Sequence, residues 1–126
     1  MSYLALMAGV KGIIYYTYYD NSFDILKEPD LLDAAKTFPS ELRELTPLVL
    51  DGKGELLAED ADGVYAMAWT RGVERRLVAV NARDKEAKVS LPFVGGQVLY
   101  GAPHDLRMEN GRVFFTIPPL ERVVMK

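Results

Sequence analysis

A chain of 126 residues, 49% apolar and 26% charged, suits one ordinary domain or two very small ones and is too apolar to stay disordered. Its net charge of −3, with both signs interspersed, excludes the basic footprint of a nucleic-acid binder. It has no cysteine, so disulfides, thiolate metal sites and cysteine nucleophiles are excluded; the cytoplasm fits, and so does a cysteine-free secreted protein.

The opening stretch MSYLALMAGVKGIIYY is apolar but reads as protein interior. A signal peptide would carry basic residues before its apolar run, whereas Lys11 follows it. A membrane span needs about 20 apolar residues without the breaks at Gly9, Lys11 and Gly12. Ser2 is placed to cap a short helix from Tyr3 to Ala8, with Gly9 near its end. Residues 12–19 follow, rich in β-branched and aromatic side chains and without charge or polar alternation, the pattern of a strand covered on both faces. Asp20-Asn21-Ser22 supplies an exit loop.

Pro29 and Asp30 open a helical stretch in which Leu31, Ala34, Ala35 and Phe38, then Leu42, Leu45, Leu48 and Val49, recur at helical spacing. Pro39 is expected to end or kink the first piece, with a restart at Ser40-Glu41-Leu42-Arg43, and Pro47 to distort the last turn. Glu41, Arg43 and Glu44 are assigned to the exposed side.

Beyond the break at Asp51-Gly52-Lys53-Gly54 the period changes to two. Strands are expected at 64–69, 77–80, 88–91, 97–100, 107–109, 112–117 and 121–125, with Asn110-Gly111 a strong hairpin signal. The predicted fold class is α+β: a helix–strand–helix segment over residues 1–51, then an antiparallel β-sandwich of about six to eight strands over residues 52–126.

A strand buried on both faces needs parallel neighbours, and the rest of the chain does not obviously supply them. The segment from Tyr3 to Tyr16, containing Ala5 and Gly9-Val10-Lys11-Gly12, resembles the last barrel turn of clan-A glycoside hydrolases, where A-x-x-x-G-(A/V)-(K/R)-G leads into the eighth strand. Residues 41–50, with Glu41, Leu42, Leu45, Pro47 and Leu48, are similar to the final helix of those enzymes. Leu77 to Asn81, and Leu106 to Lys126 with its Pro118-Pro119-Leu120 step, resemble parts of the small β-domain that follows it. The resemblance implies the end of a (β/α)₈ barrel joined to a C-terminal β-domain. The catalytic carboxylates of such enzymes lie on strands four and seven, neither of which this chain supplies. Their retaining mechanism needs two carboxyl groups about 5–5.5 Å apart.

The implied partners are therefore the remainder of the barrel and, in the parent enzyme, carbohydrate. Tyr16, Tyr18, Tyr19 and Asp20 would lie at the substrate-facing end of the barrel strand. Trp69, Tyr65 and Tyr100 are candidates for a sugar-stacking platform, weighed against a role in packing. No catalytic residue, metal ligand or cofactor site is assigned. His104, the sole histidine, reads as a loop residue; Glu59-Asp60-Ala61-Asp62 as a turn without calcium-loop spacing; Arg71, Arg75 and Arg76 as a surface cluster. The leading expectation is a non-catalytic C-terminal piece of a glycoside hydrolase. The alternatives are a carbohydrate-binding module and a self-contained interaction protein in which residues 1–50 wrap the sandwich. Self-association through strand 12–19 is expected if its edges stay uncovered.

Overall fold

The computed structural model describes residues 1–14 and 19–126. Among the described residues two helices precede eight strands, an α+β arrangement in three layers. Helix α1 spans Ser2–Met7 and α2 spans Pro29–Asp51, with a single 3₁₀ turn at Ile25–Lys27 between them. The strands are β1 (Lys53–Ala61), β2 (Val64–Arg71), β3 (Glu74–Asn81), β4 (Ala87–Leu91), β5 (Val98–Tyr100), β6 (His104–Glu109), β7 (Arg112–Ile117) and β8 (Arg122–Met125). Five of them form a sheet in the order β1-β2-β3-β8-β5, and three form a second in the order β4-β7-β6. All pairings are antiparallel.

Period-two alternation builds the sandwich. On β2, Val64, Ala66 and Ala68 face the second sheet; Ala87, Val89 and Leu91 of β4 and Val113, Phe115 and Ile117 of β7 meet them from the other side. The hairpin between β6 and β7 turns at Asn110-Gly111, both at positive φ (50° and 74°), as a tight two-residue turn requires.

The outer face of the five-stranded sheet is covered by the helices. Tyr3 and Leu6 of α1 and Leu45, Leu48 and Val49 of α2 pack on Trp69, Val78, Val80 and Val124. The central strands β3 and β8 are therefore buried on both faces: Leu77 and Ala79 point into the sandwich, Val78 and Val80 toward the helices. The uninterrupted run Leu77-Val78-Ala79-Val80 carries the same signature that the sequence reading assigned to residues 12–19.

Four local expectations are corrected. Helix α1 begins at Ser2, and Met1 stands at the capping position without a side-chain cap. Of the two outcomes expected at Pro39, an end or a kink, the end does not occur: α2 is continuous through both prolines. The carbonyls that Pro39 and Pro47 leave without an amide belong to Ala35 and Arg43, both exposed, so water can satisfy them. Thr37 and Thr46 add hydroxyl bonds to the carbonyls of Asp33 and Leu42, each 2.8 Å. Strand β1 was not anticipated: register shifts between Leu56 and Ala58 and between Ala58 and Ala61 break its alternation. Its polar end, Glu59 to Ala61, is strand, and the turn lies at Asp62-Gly63. His104 opens β6 rather than a loop, and Asp105 at φ 54° sits where that register shifts.

The expected strand 12–19 falls partly outside the described residues, which omit 15–18. Within them, residues 12–14 form no strand, and Tyr19 makes an isolated antiparallel bridge to Asp24.

Between α2 and β1 the chain passes under the helix end. A methyl group on Gly52 would strike the carbonyl oxygens of Leu48 and Thr70, and one on Gly54 the Met67 side chain. Glycine is required at position 52, where backbone oxygens would be struck, whereas at position 54 the flexible end of Met67 could move aside.

Candidate functional site

Two described features stand where the helices meet the sandwich: a buried polar cluster and the groove above it. Glu41 lies on the inward face of α2, in helical register with Leu45, Leu48 and Val49, and is only 2% exposed. One carboxylate oxygen accepts a hydrogen bond from the Tyr3 hydroxyl on α1, the other from Arg122 Nη2 on β8. Arg122 Nε also approaches the Tyr3-bonded oxygen at 3.3 Å, and its Nη1 binds Glu121 at 3.1 Å. A buried carboxylate is tolerable only when its lone pairs are filled in this way.

Burial comes first in raising the Tyr3 phenol above its ordinary value of 10.0, and the hydrogen bond to Glu41 adds to it. The hydrogen bond to Glu41 raises the pKa of Arg122, against the opposing effect of burial. A tyrosine that holds its proton more tightly when folded contributes stability present below pH 10 and lost as pH rises through the folded value. Tyr3→Phe should therefore lose stability at neutral pH and flatten the alkaline limb. The two pH profiles, measured by urea denaturation, should converge above about pH 10.

The groove, about 660 Å³, is lined by Met1, Phe23, Ile25, Leu31, Ala34 and Phe38, with Glu41 and Arg122 at its polar end. Phe38 meets Tyr3 edge-on, with ring centroids 5.3 Å apart. Leu31 is 50% exposed, and Ala34 and Ala35 are exposed as well. The amino-terminal half of α2 thus leaves Leu31, Ala34 and Ala35 as exposed apolar surface, while Phe38 packs on Tyr3.

Other polar ties fasten the same seam. Lys11 Nζ donates to the Val49 carbonyl at 2.5 Å, near the carboxyl end of α2, where a cation also suits the helix dipole. Arg76 reaches Glu44 at 3.7 Å, and Arg71 reaches Asp51 at 3.7 Å. Arg75 pairs with Glu55 at 3.4 Å and lies over the Phe93 ring. The arginines expected as a surface cluster are thus tertiary contacts, and the Arg76 side chain is only 13% exposed. Glu41, expected on the exposed side, is the one acid of its group that is buried; Arg43 and Glu44 are exposed. The missed signal was spacing, since residues 41, 45, 48 and 49 share one helical face.

Tyr16 and Tyr18 lie outside the described residues, and with them half of the segment 12–19 expected to self-associate. Tyr19 and Asp20 are exposed. Asp20 accepts bonds from Ser22 N at 2.7 Å, Ser22 Oγ at 2.9 Å and Phe23 N at 2.8 Å. These bonds, the Ser22 amide first, hold its carboxyl below the usual carboxylate value, so Asp20 here ties a turn. Trp69 is 3% exposed beneath the helices, while Tyr65 and Tyr100 are half-buried on the same face of the sheet. With its indole enclosed, Trp69 has no face for a sugar ring, and the three do not form an open platform.

Among the described residues no three acids or histidines cluster to hold a metal, and no helix is long and apolar enough to cross a membrane. Both oxygens of Glu41 are already engaged by Tyr3 and Arg122. The cluster joins three elements and offers no free carboxylate.

No family model matches the sequence, and no curated protein matches it. Among solved structures, the native debranching enzyme of Nostoc punctiforme shares the fold with TM-score 0.57 and 20% identity, over 68% of this chain and 19% of that one. The same enzyme soaked with acarbose matches at TM-score 0.54 and 20% identity, over 68% and 18%. The α-amylase from H. orenii matches at 0.52 and 18% identity, over 67% and 18%. This chain spans about a fifth of the length of those solved chains, and the shared part is C-terminal in them. At these identities the likeness is one of fold.

Proposed function

We propose that this chain is the non-catalytic C-terminal region of an α-amylase-like glycoside hydrolase. Residues 1–51 close the barrel end, and residues 52–126 form a β-domain that braces it and borders the sugar cleft. The uncovered apolar face of α2 carries this reading. Leu31, Ala34 and Ala35 lie exposed on one side of its amino-terminal half, as if to pack on neighbouring helices and strands, and the sandwich fills only the other end of the helix. The fold shared with about a fifth of a debranching enzyme and of an α-amylase supports a barrel as the body that would cover it. In such a body the barrel would supply both catalytic carboxylates, and Tyr16, Tyr18, Tyr19 and Asp20 would sit toward its substrate face.

In this reading the purified 126-residue chain leaves aryl α-glucosides, amylose and pullulan uncleaved. Reducing-end release by protein free of contaminating hydrolase, above that of a heat-inactivated sample, would overturn it.

A further inference from the structure

The chain has three asparagines, Asn21, Asn81 and Asn110. Asparagine is thermolabile because the main-chain amide of the next residue can attack its side-chain carbonyl carbon. Attack needs a free amide, an unbound side chain and room for a ring to close. The structure grants all three to one asparagine and withholds them from the other two.

Asn81 is buried, its side chain is held by Lys85, Ile117, Pro118 and Arg83, and the Ala82 amide donates to the Gly63 carbonyl at 2.9 Å. Asn21 is exposed, but the Ser22 amide donates to Asp20 Oδ1 at 2.7 Å. Asn110 and Gly111 stand exposed at the tip of the β6–β7 hairpin. Among the described residues neither the Asn110 side chain nor the Gly111 amide has a hydrogen-bond partner. A Cβ added at Gly111 would meet nothing within 4 Å, so the space beside its amide is open, and glycine itself puts no side chain in the way.

We propose that Asn110-Gly111 is a site of spontaneous deamidation, which gives the hairpin tip a second, altered form. The Gly111 nitrogen gives up its proton and bonds to Asn110 Cγ; the Cγ–Nδ2 bond breaks, and the amide nitrogen leaves with that proton as ammonia. Water then opens the resulting succinimide, so one water is consumed for each ammonia released. Opening at Cγ leaves an aspartate, with a new negative charge between Glu109 and Arg112. Opening at the main-chain carbonyl leaves an isoaspartate, whose backbone runs through the side-chain carbons and is one methylene longer. That longer backbone does not fit a turn in which two residues join the facing pair Glu109 and Arg112. Because β6 is an edge strand, the change loosens β6 from β7 and leaves the β4–β7 pairing in place.

Trypsin cuts after lysine and arginine, which places the three asparagines in separate peptides, 12–27, 77–83 and 108–112. The purified chain is aged in its native state and, in parallel, unfolded in guanidinium, and each peptide is followed by mass spectrometry. Native ageing should convert peptide 108–112 to aspartate and isoaspartate forms, matched by ammonia release and faster as pH is raised. Folding should slow peptides 12–27 and 77–83 about tenfold or more, because a hydrogen bond must break before the amide can attack, and should slow peptide 108–112 by less. The proposal is overturned if peptide 108–112 stays unmodified in the native chain while the unfolded chain converts. It is equally overturned if folding slows that peptide as much as the other two, or if Asn21 or Asn81 reacts first in the native chain.

Discussion

Asn81→Asp should lower the unfolding free energy by about 3–5 kcal/mol at neutral pH, a large fraction of the total stability of an ordinary domain. Asn81 is 1% exposed at the end of β3. Its amide donates to the carbonyls of Lys85 (2.7 Å), Ile117 (3.2 Å) and Pro118 (3.1 Å), and its oxygen accepts from the Arg83 amide at 3.0 Å. Two amide hydrogens serve three carbonyls, so one is shared. The side chain pins the β3–β4 connection to the end of β7, joining the two sheets. A carboxylate of the same shape keeps the bond to Arg83 but aims negative charge at three carbonyl oxygens, with no donor left.

The pH dependence separates this cause from simple loss of packing. Repulsion from the carbonyls raises the folded pKa of the new Asp above its unfolded value near 3.9. A raised pKa gives stability present below the unfolded value and lost as pH rises, so the deficit against wild type should shrink toward about pH 4. Urea midpoints at pH 4 and pH 7 check it. A deficit equal at both would refute the electrostatic account.

Glu41→Ala should cost about 2–4 kcal/mol. Removing one partner of a buried pair typically costs about 3–5 kcal/mol, because the remaining charge is stranded. Here Arg122 is 30% exposed and keeps Glu121, which lowers the figure. The Tyr3 hydroxyl, however, loses its acceptor as well. The double variant Glu41→Leu with Arg122→Met should recover much of the loss, since an apolar pair of similar volume avoids the desolvation of both charges. Urea midpoints at unchanged slope measure both effects. A double variant no more stable than Glu41→Ala would show that packing, not the stranded guanidinium, sets the cost.

Where alternation was clean the strands were legible. Val64 to Trp69 alternates small inward and large outward residues, and Asn110-Gly111 marks its hairpin in two letters. Helix α2 was legible in its apolar spacing but not in its continuity. Whether a proline breaks a helix depends on whether the freed carbonyl meets water, and that is a property of the surroundings. Strand β1 was hidden because bulges disrupt the period on which recognition rests.

The polar sites divided in the same way. Local bonding fixed the Asp20 turn, whose partners lie two and three residues away. Glu41 meets Arg122 from 81 residues away and Tyr3 from 38. Until the helices settle on the sheet, one acid of a helix resembles another. Side-chain chemistry and short-range spacing were enough to choose α+β, the turns and most of the strands. Which face of each sheet a neighbour would cover, and so the burial of Trp69 and of the Glu41 carboxylate, required the assembled layers. Burial is set by what arrives from elsewhere in the chain, and no local pattern encodes it.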